Sequence, residues 1–303
     1  MRRTQGFAQL LVLWALALLG MLALGFSFAM RTEALAARNG IDGTRAYFQA
    51  RTGVDRALML IATVPADNLV REEIAEEDTD ASYVVQVESE GGKVDLNFVP
   101  EGLLLEILKK GGLPDDDAER LRDAILDWRD EDDVARPRGA ETGDYANLAE
   151  PVLPRDGRFR SVEELRYVMG VSPEFYRRFL SRVFTVNGNS PRVDFRHAPE
   201  IVLRSLPGVS PGALDRILAG RKEDPPISAA DLAAMVGSGD LTAEALALVS
   251  GGNSSNAWTI TATGTAGDNV ARVVRCLVEY PGGGRKEVKI LRWLDEVPRE
   301  VEG

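Results

Sequence analysis

The chain has 303 residues and a formal net charge of −11, from 47 Asp and Glu against 36 Lys and Arg. That excess of acid argues against the broad basic face a nucleic-acid backbone needs, and Cys276, the single cysteine, excludes an internal disulfide. His197 is the one histidine, and no zinc-ligand spacing, P-loop or nucleophile motif occurs, so no enzymatic activity is expected.

The first predicted element is a membrane helix. Arg2 and Arg3 precede Gly6, and Phe7 to Met30 contains no charged residue. As an α-helix this run is about 36 Å long, enough to cross a hydrocarbon core of about 30 Å. A cleaved secretory signal is the weaker reading, because its apolar region is shorter, although Ala34 and Ala36 would permit a late cut. A plain signal anchor is a second reading. The third is a cut before the apolar run: basic residues, Gly6 and then Phe7-Ala8-Gln9-Leu10-Leu11 resemble the processing site of type IV prepilins and type II secretion pseudopilins. That resemblance implies a prepilin peptidase that cleaves between Gly6 and Phe7 and methylates the new amino terminus. Most of the superfamily has Glu at the fifth mature position, where this chain has Leu11. A carboxylate in hydrocarbon is costly unless partnered, and the family member without it is the large K-type minor pseudopilin at the filament tip. Arg31, Arg38 and Arg45 follow the span, so the positive-inside count alone does not orient it.

Past Met30 no proline occurs before Pro65, and Leu35, Ile41, Phe48, Leu58 and Ile61 recur among polar residues. This predicts one amphipathic helix from Phe7 to about Ala62, with Gly40, Gly43 and Gly53 each costing it about 1 kcal/mol relative to Ala. Ser82 to Glu88 alternates like a half-buried strand, and Gly91-Gly92 before Lys93 to Leu96 predicts a turn into a second strand. Near the other end, Trp258 to Thr263, Val270 to Tyr280 and Arg285 to Leu294 predict three more, the last two joined at Pro281 to Gly284. All five are expected in one antiparallel sheet.

Between the strand groups lies a helical region with an internal repeat. Val94 to Glu101 matches Val193 to Glu200, and Ser161-Val162-Glu163-Glu164-Leu165 matches Ser228-Ala229-Ala230-Asp231-Leu232. The first copy is longer, mostly between Asp127 and Phe159, where Asp127, Asp130, Glu131, Asp132, Asp133, Glu141 and Asp144 crowd together. Hard oxygen ligands in a flexible loop suit Ca²⁺ better than softer metals. A solvated acidic loop is the plain alternative, since the EF-hand pattern is absent.

Asp127-Trp128-Arg129-Asp130-Glu131-Asp132, Gly139-Ala140-Glu141, Tyr145 and Phe159 to Leu165 resemble the central signature of the K-type minor pseudopilin of type II secretion systems. The family's strand-to-helix entry usually reads Asn-x-Asn-Thr-Ala-Pro, for which this chain has Asp95 to Pro100 and again Asp194 to Pro199. The resemblance implies an α+β fold: a pilin-like long N-terminal helix packed on an antiparallel sheet, with a large duplicated all-helical domain inserted between strands. The implied divisions are a leader (1–6), a membrane helix (7–30), the helix continuation with the first strands (31–97), the insertion (98–255) and the remaining strands (256–303). It also implies bound calcium, with Asp130, Asp132 and Glu141 as the first ligands and Asp127, Asp133 and Asp144 as a second tier. A single pass in a bacterial inner membrane is implied, with the bulk of the chain in the periplasm. The implied partners are the I-type and J-type minor pseudopilins in a tip complex, with the secretin or secreted cargo as a further contact.

Two other functions stay open on the residues. A minor pilin of a type IV pilus or DNA-uptake system would use the helical insert as an adhesin or nucleic-acid contact, and a signal-anchored calcium-binding protein would belong to no filament. Leu203 to Val209, with Ala213, Ile217 and Arg221, has the spacing of a helix-hairpin-helix, whose turn can present N–H groups to a phosphate. Arg204, Arg216, Arg221 and Lys222 form too small a basic island for that, and no nucleic-acid partner is expected.

Overall fold

The computed structural model describes residues 4–63, 72–78, 81–223, 226–251, 255–267, 270–280 and 288–295. Helix α1 (Thr4–Thr63) is unbroken through the predicted span and its continuation, with Gly6, Phe7 and Leu11 all inside it. Gln9–Thr63 is long and apolar enough to cross a membrane, with a mean hydropathy of 2.3 in its most apolar window. No other described part of the chain covers this apolar half: Leu24 is 73 % and Phe28 76 % exposed.

The second half of α1 is amphipathic and buries Ala46, Ala50, Val54, Ala57 and Ile61 at helical spacing. They pack on a five-stranded antiparallel sheet of order β1 (Glu72–Asp78), β2 (Ala81–Ser89), β7 (Ala257–Ala266), β8 (Val270–Glu279) and β9 (Lys289–Leu294). Val85, Val87, Ile260, Ala262, Val274, Cys276 and Val278 face the helix, alternating with half-exposed neighbours. Burial pushes the Cys276 thiol up to about 11, as expected of a small core residue. Close approach explains two glycines: a Cβ at Gly264 would run into the backbone of Ala46 and Ala50, and one at Gly53 would lie 2.9 Å from the Tyr83 ring.

One strand expectation needs correction, and one strand of the sheet was not expected. Lys93 to Leu96 does not join this sheet. A 3-10 turn, Glu90–Gly92, leads the chain away from it, and only Val94–Asp95 (β3) is extended, paired in parallel with Phe184–Thr185 (β4). The place beside β2 belongs instead to β1, whose sequence Glu-Glu-Ile-Ala-Glu-Glu-Asp offers no apolar alternation. The expected junction at Pro281 to Gly284, with the start of the last strand at Arg285, lies outside the described residues, as do Arg2 and Arg3.

Between β3 and β7 the chain builds a second hydrophobic core. The first unit runs through α2 (Glu101–Lys110), α3 (Asp115–Arg129), α4 (Thr142–Ala146) and a 3-10 turn at Val162–Tyr167. It ends in α5 (Pro173–Phe175), a π-helical segment Tyr176–Leu180, α6 (Ser181–Val183) and β4. The second unit opens with β5 (Val193–Asp194) and continues through α7 (Glu200–Ser205), α8 (Pro211–Gly220), α9 (Ala229–Gly237) and α10 (Ala243–Ala247). It closes with β6 (Val249–Ser250), parallel to β5. The insertion thus carries two short parallel strand pairs besides its helices.

The duplication extends to atoms. Asp95 Oδ1 accepts the Asn97 N–H at 2.8 Å, and Asp194 Oδ1 accepts that of Arg196 at 3.0 Å. Arg129, at the end of α3, donates to the Leu96 carbonyl at 2.6 Å, and Arg221, just after α8, donates to the equivalent Phe195 carbonyl at 2.7 Å. Glu164 accepts the Ser161 N–H at 3.2 Å and Asp231 that of Ser228 at 2.8 Å, two equivalent helix starts.

The two cores meet at the 3-10 turn. Glu90 is buried and accepts from Lys93 Nζ (2.7 Å), from the Thr259 hydroxyl of β7 (2.7 Å) and from the Thr185 hydroxyl of β4. Burial pushes the Glu90 carboxyl up, but Lys93 and the hydroxyls outweigh it and hold it below the usual range. His197 stands edge-on to Trp258 with ring centroids 5.6 Å apart, and its backbone leaves no room for a Cβ at Gly92.

Candidate metal centre

The extra residues of the first unit leave α3 at Asp130 and return at Phe159. α3 buries Ala118, Leu121, Ala124, Ile125 and Trp128, and this face fixes the direction of its last turn. Trp128 stacks at 6.3 Å on Phe159 and meets Tyr145 edge-on at 5.3 Å, and the Tyr145 hydroxyl accepts the Met169 N–H at 3.1 Å. Asn97 clamps the return point, accepting the Phe159 N–H at 2.8 Å and donating to its carbonyl at 3.0 Å. A charged loop is therefore held at both ends by the core.

Within that frame the six predicted ligands separate. Oxygens of Asp130, Asp132 and Glu141, the first tier, all lie within 4.8 Å of one another. Asp130 caps the end of α3, Asp132 is exposed on the loop, and Glu141, 6 % exposed, immediately precedes α4. The second tier is mostly engaged elsewhere. Asp127 is fully buried and held by Arg136, through its backbone N–H at 3.2 Å and its guanidinium at 2.5 Å. Asp144 accepts the Glu141 N–H at 3.0 Å and so caps α4, and Asp133 is exposed.

Arg136 is the residue that sequence reasoning missed first. Its Nη1 bridges Asp127 and Asp130, the latter at 2.6 Å, and neutralises part of the cluster. The remaining oxygens have no counter-group: Asp130 Oδ1, both carboxylate oxygens of Glu141 and Asp156 Oδ1 are buried without a hydrogen-bond partner. Burial first, and then the Asp127, Asp130, Asp156 and Asp133 carboxylates, push Glu141 from 4.5 up to about 7. Burial likewise raises Asp127, with Arg136 offsetting part of the effect. Asp156 is the second omission. It occupies the left-handed region at φ 49°, and its Asp-Gly sequence was the only available sign. Gly139 completes the site, because a Cβ there would collide with the Asp127 carboxylate.

Buried, unsatisfied carboxylate oxygens beside like charges are unstable unless protonated or neutralised by a cation. All are hard oxygen donors, a set that fits Ca²⁺ and offers nothing to a soft metal. The second unit passes from Arg221 to Ser228 without such a loop, and among its described residues there is no counterpart to the site.

The helix-hairpin-helix in that unit is occupied by its own contacts. Arg204 pairs with Glu200, Arg216 with Asp240, and Arg221 is spent on Phe195. Gly208, at φ +69°, makes the turn and packs on Thr242. His197 Nδ1 lies 2.6 Å from the buried Asp194 carboxylate, a structural pairing at the start of the unit.

Comparison with known proteins agrees with this architecture. Residues 89–187 match the family model for type II secretion system (T2SS), protein K. Type II secretion system protein K of Pectobacterium carotovorum subsp. carotovorum is 38 % identical over 77 residues, 25 % of this chain and 24 % of that protein. The Dickeya chrysanthemi protein is 44 % identical over 66 residues, 22 % and 18 % of the two chains. For Aeromonas hydrophila the match is 40 % over 73 residues, 24 % and 22 %. The aligned stretch thus spans about a quarter or less of each relative's length. A chain from the crystal structure of the GspK-GspI-GspJ complex of the enterotoxigenic Escherichia coli type 2 secretion system superposes with a TM-score of 0.61. At 13 % identity it covers 88 % of this chain and 100 % of its own, and so shares the fold. Residues 89–187 are thus similar to type II secretion system protein K, and the chain around them has the fold of that complex's chain.

Proposed function

We propose that this chain is a minor pseudopilin of a type II protein secretion system, placed at the pseudopilus tip, where it helps start assembly of the filament that exports folded proteins across the outer membrane. The observation that carries this is the joining of an uncovered apolar helix to a sheet that also holds a bulky second core. The apolar half of α1 suits first the inner membrane and then a filament interior, whereas the insertion between β2 and β7 is too large to be stacked upon. Leu11 adds to this, since a terminal subunit needs no carboxylate to receive a neighbour above it. In this reading a prepilin peptidase cuts between Gly6 and Phe7, the mass of the chain lies in the periplasm, and the partners are the I-type and J-type minor pseudopilins, as in the complex that shares the fold. Contact with secretin or cargo belongs to the exposed surface of the insertion.

The same reading gives the acidic loop a structural Ca²⁺. Asp130, Asp132 and Glu141 would hold it, with Asp156 beside them and Asp127 kept in place by Arg136. The ion supplies positive charge to oxygens that otherwise repel one another, and so fixes the insertion's loop in one conformation.

Deleting the gene in its native bacterium tests the reading: secreted proteins should accumulate in the periplasm, and the wild-type gene should restore export. Sequencing the mature chain should give N-methyl-Phe7, and an intact Met1 would instead point to a plain anchor.

A further inference from the structure

The two edges of the five-stranded sheet carry opposite charge. β1, at one edge, reads Glu-Glu-Ile-Ala-Glu-Glu-Asp, whereas β9, at the other, reads Lys-Ile-Leu-Arg-Trp-Leu. Among the described residues no strand pairs with the outer side of β9, and Lys289, Ile290, Leu291 and Arg292 are all exposed. Such an edge offers a row of backbone N–H and C=O groups to another extended chain. On the face away from α1, Arg292 sits diagonally across from Arg275 of β8, since Leu277 lies opposite Arg292 and Arg275 opposite Leu294. The first unit of the insertion meets this face: Glu163 accepts from Arg292 Nη1 at 2.9 Å, and the Arg166 guanidinium lies 5.7 Å over the ring of Tyr176. Burial and then Glu163 push the Tyr176 hydroxyl up to about 12, while Arg166, Arg292 and Arg275 offset part of the rise, so the four charges gather around one ring. Three guanidiniums thus share one carboxylate. Among the described residues neither Arg166 nor Arg275 has an acidic partner, and the hydrogen bond of Arg275 to the Thr261 hydroxyl, at 3.4 Å, leaves most of its donors unused.

We propose that β9 and this arginine crevice together bind an extended acidic segment of another protein, which adds to β9 as a further strand and places a carboxylate among Arg166, Arg275 and Arg292. Side chains of an added strand alternate between faces, so acidic residues at every second position lie on the arginine side and apolar ones come beside Ile290, which shares the α1 side with Val278. Guanidinium forks hold a carboxylate through paired N–H donors. A phosphate group satisfies the same forks but gains nothing from the strand edge, and this decides for a peptide. The opposite edge is closed to such a segment, because the carboxylates in the sequence of β1 repel it. The site involves no part of α1 and stands apart from the filament role.

The test uses the full chain in detergent and a short fluorescent peptide of alternating Glu and Val, read by anisotropy across a range of salt. Wild type should bind it with an affinity that falls as salt rises. It should bind neither a Lys–Val counterpart nor the same Glu–Val peptide with methylated backbone nitrogens, which cannot donate to a strand edge. R166A/R275A leaves the Arg292–Glu163 pair in place and should weaken binding about tenfold while keeping native circular dichroism. E163Q, which removes the competing carboxylate, should tighten binding about threefold. No binding by wild type, or equal binding by R166A/R275A, overturns the proposal. Equal binding of the methylated peptide overturns it in favour of ion pairing without strand addition. Tight binding of inorganic phosphate alone, lost in R166A/R275A, overturns it in favour of a phosphate ligand. Self-association of the full chain that R166A/R275A abolishes assigns the edge to β1 of a second copy and likewise overturns it.

Discussion

Replacing Glu141 by Gln isolates the electrostatics of the acidic site. Glu141 is raised from 4.5 to about 7 by burial and four neighbouring carboxylates, and neither of its oxygens has a hydrogen-bond partner. A raised carboxyl favours the folded state while protonated, so its stability is fully present below about pH 4.5 and is lost as pH rises through about 7. At about 1.4 kcal/mol per pH unit, the loss reaches at most about 3 kcal/mol by pH 8. An amide resembles the protonated acid at every pH, so without divalent ions E141Q should equal wild type near pH 4.5 and exceed it at pH 8. Calcium should invert the order at a thousandfold excess over Kd, where wild type gains about 4.1 kcal/mol and the variant does not. Denaturant unfolding of the full chain in detergent, at pH 5 and pH 8, with EGTA or calcium, measures all four terms. A stability difference independent of pH, or an equal calcium response in both proteins, would refute the reasoning.

Other substitutions probe the frame around the site. Gly139→Ala drives a Cβ into the Asp127 carboxylate and should abolish the calcium-dependent shift in Tm while costing about 2 kcal/mol without calcium. Gly264→Ala should separate α1 from the sheet and cost about 3 kcal/mol, read by thermal unfolding, with the calcium response retained. Arg221→Ala leaves the Phe195 carbonyl without its donor and should cost about 1–3 kcal/mol in denaturant unfolding. Calcium uptake should release protons near pH 7, giving calorimetric heats that vary with the ionisation enthalpy of the buffer.

Patterns that depend on one face of one element were legible from the residues alone. The run from Phe7 to Met30 and the alternation of Tyr83, Val85 and Val87 follow from periodicity. Of the stripe Leu35, Ile41, Phe48, Leu58 and Ile61, however, the first three are exposed, because the helix meets the sheet through the small face of Ala46, Ala50, Val54 and Ala57 with Ile61. Strand β1 gave no such signal, because an edge strand of carboxylates owes its place to backbone pairing with β2. Lys93 to Leu96 looked like a strand of the main sheet because its composition suits one, yet the contacts of Glu90 with β4 and β7 send it elsewhere. At the candidate site the acidic residues were readable, but the oxygens left free were not. That depends on Arg136 claiming Asp127, Asp144 capping α4 and Asp156 arriving from the far side of the loop. The equivalence of Arg129 and Arg221 was hidden by unequal spacing between the copies and emerges only from the carbonyls they share.

Strands β2 and β7 lie side by side although the whole insertion separates them, with Ser89 opposite Trp258 and Ala81 opposite Ala266. Such a pairing closes a very long loop, and the entropy of closure rises by about 0.6 kcal/mol for each doubling of its length. The insertion has its own core, and its parallel pairs bring Val94 beside Phe184 and Val193 beside Val249. Once that core has collapsed, the ends of β2 and β7 are already neighbours, and the remaining search is that of a short connection. The insertion's own core thus lowers the cost of closing the sheet, and the surface that receives α1 is built jointly by β2 from one flank and β7 and β8 from the other.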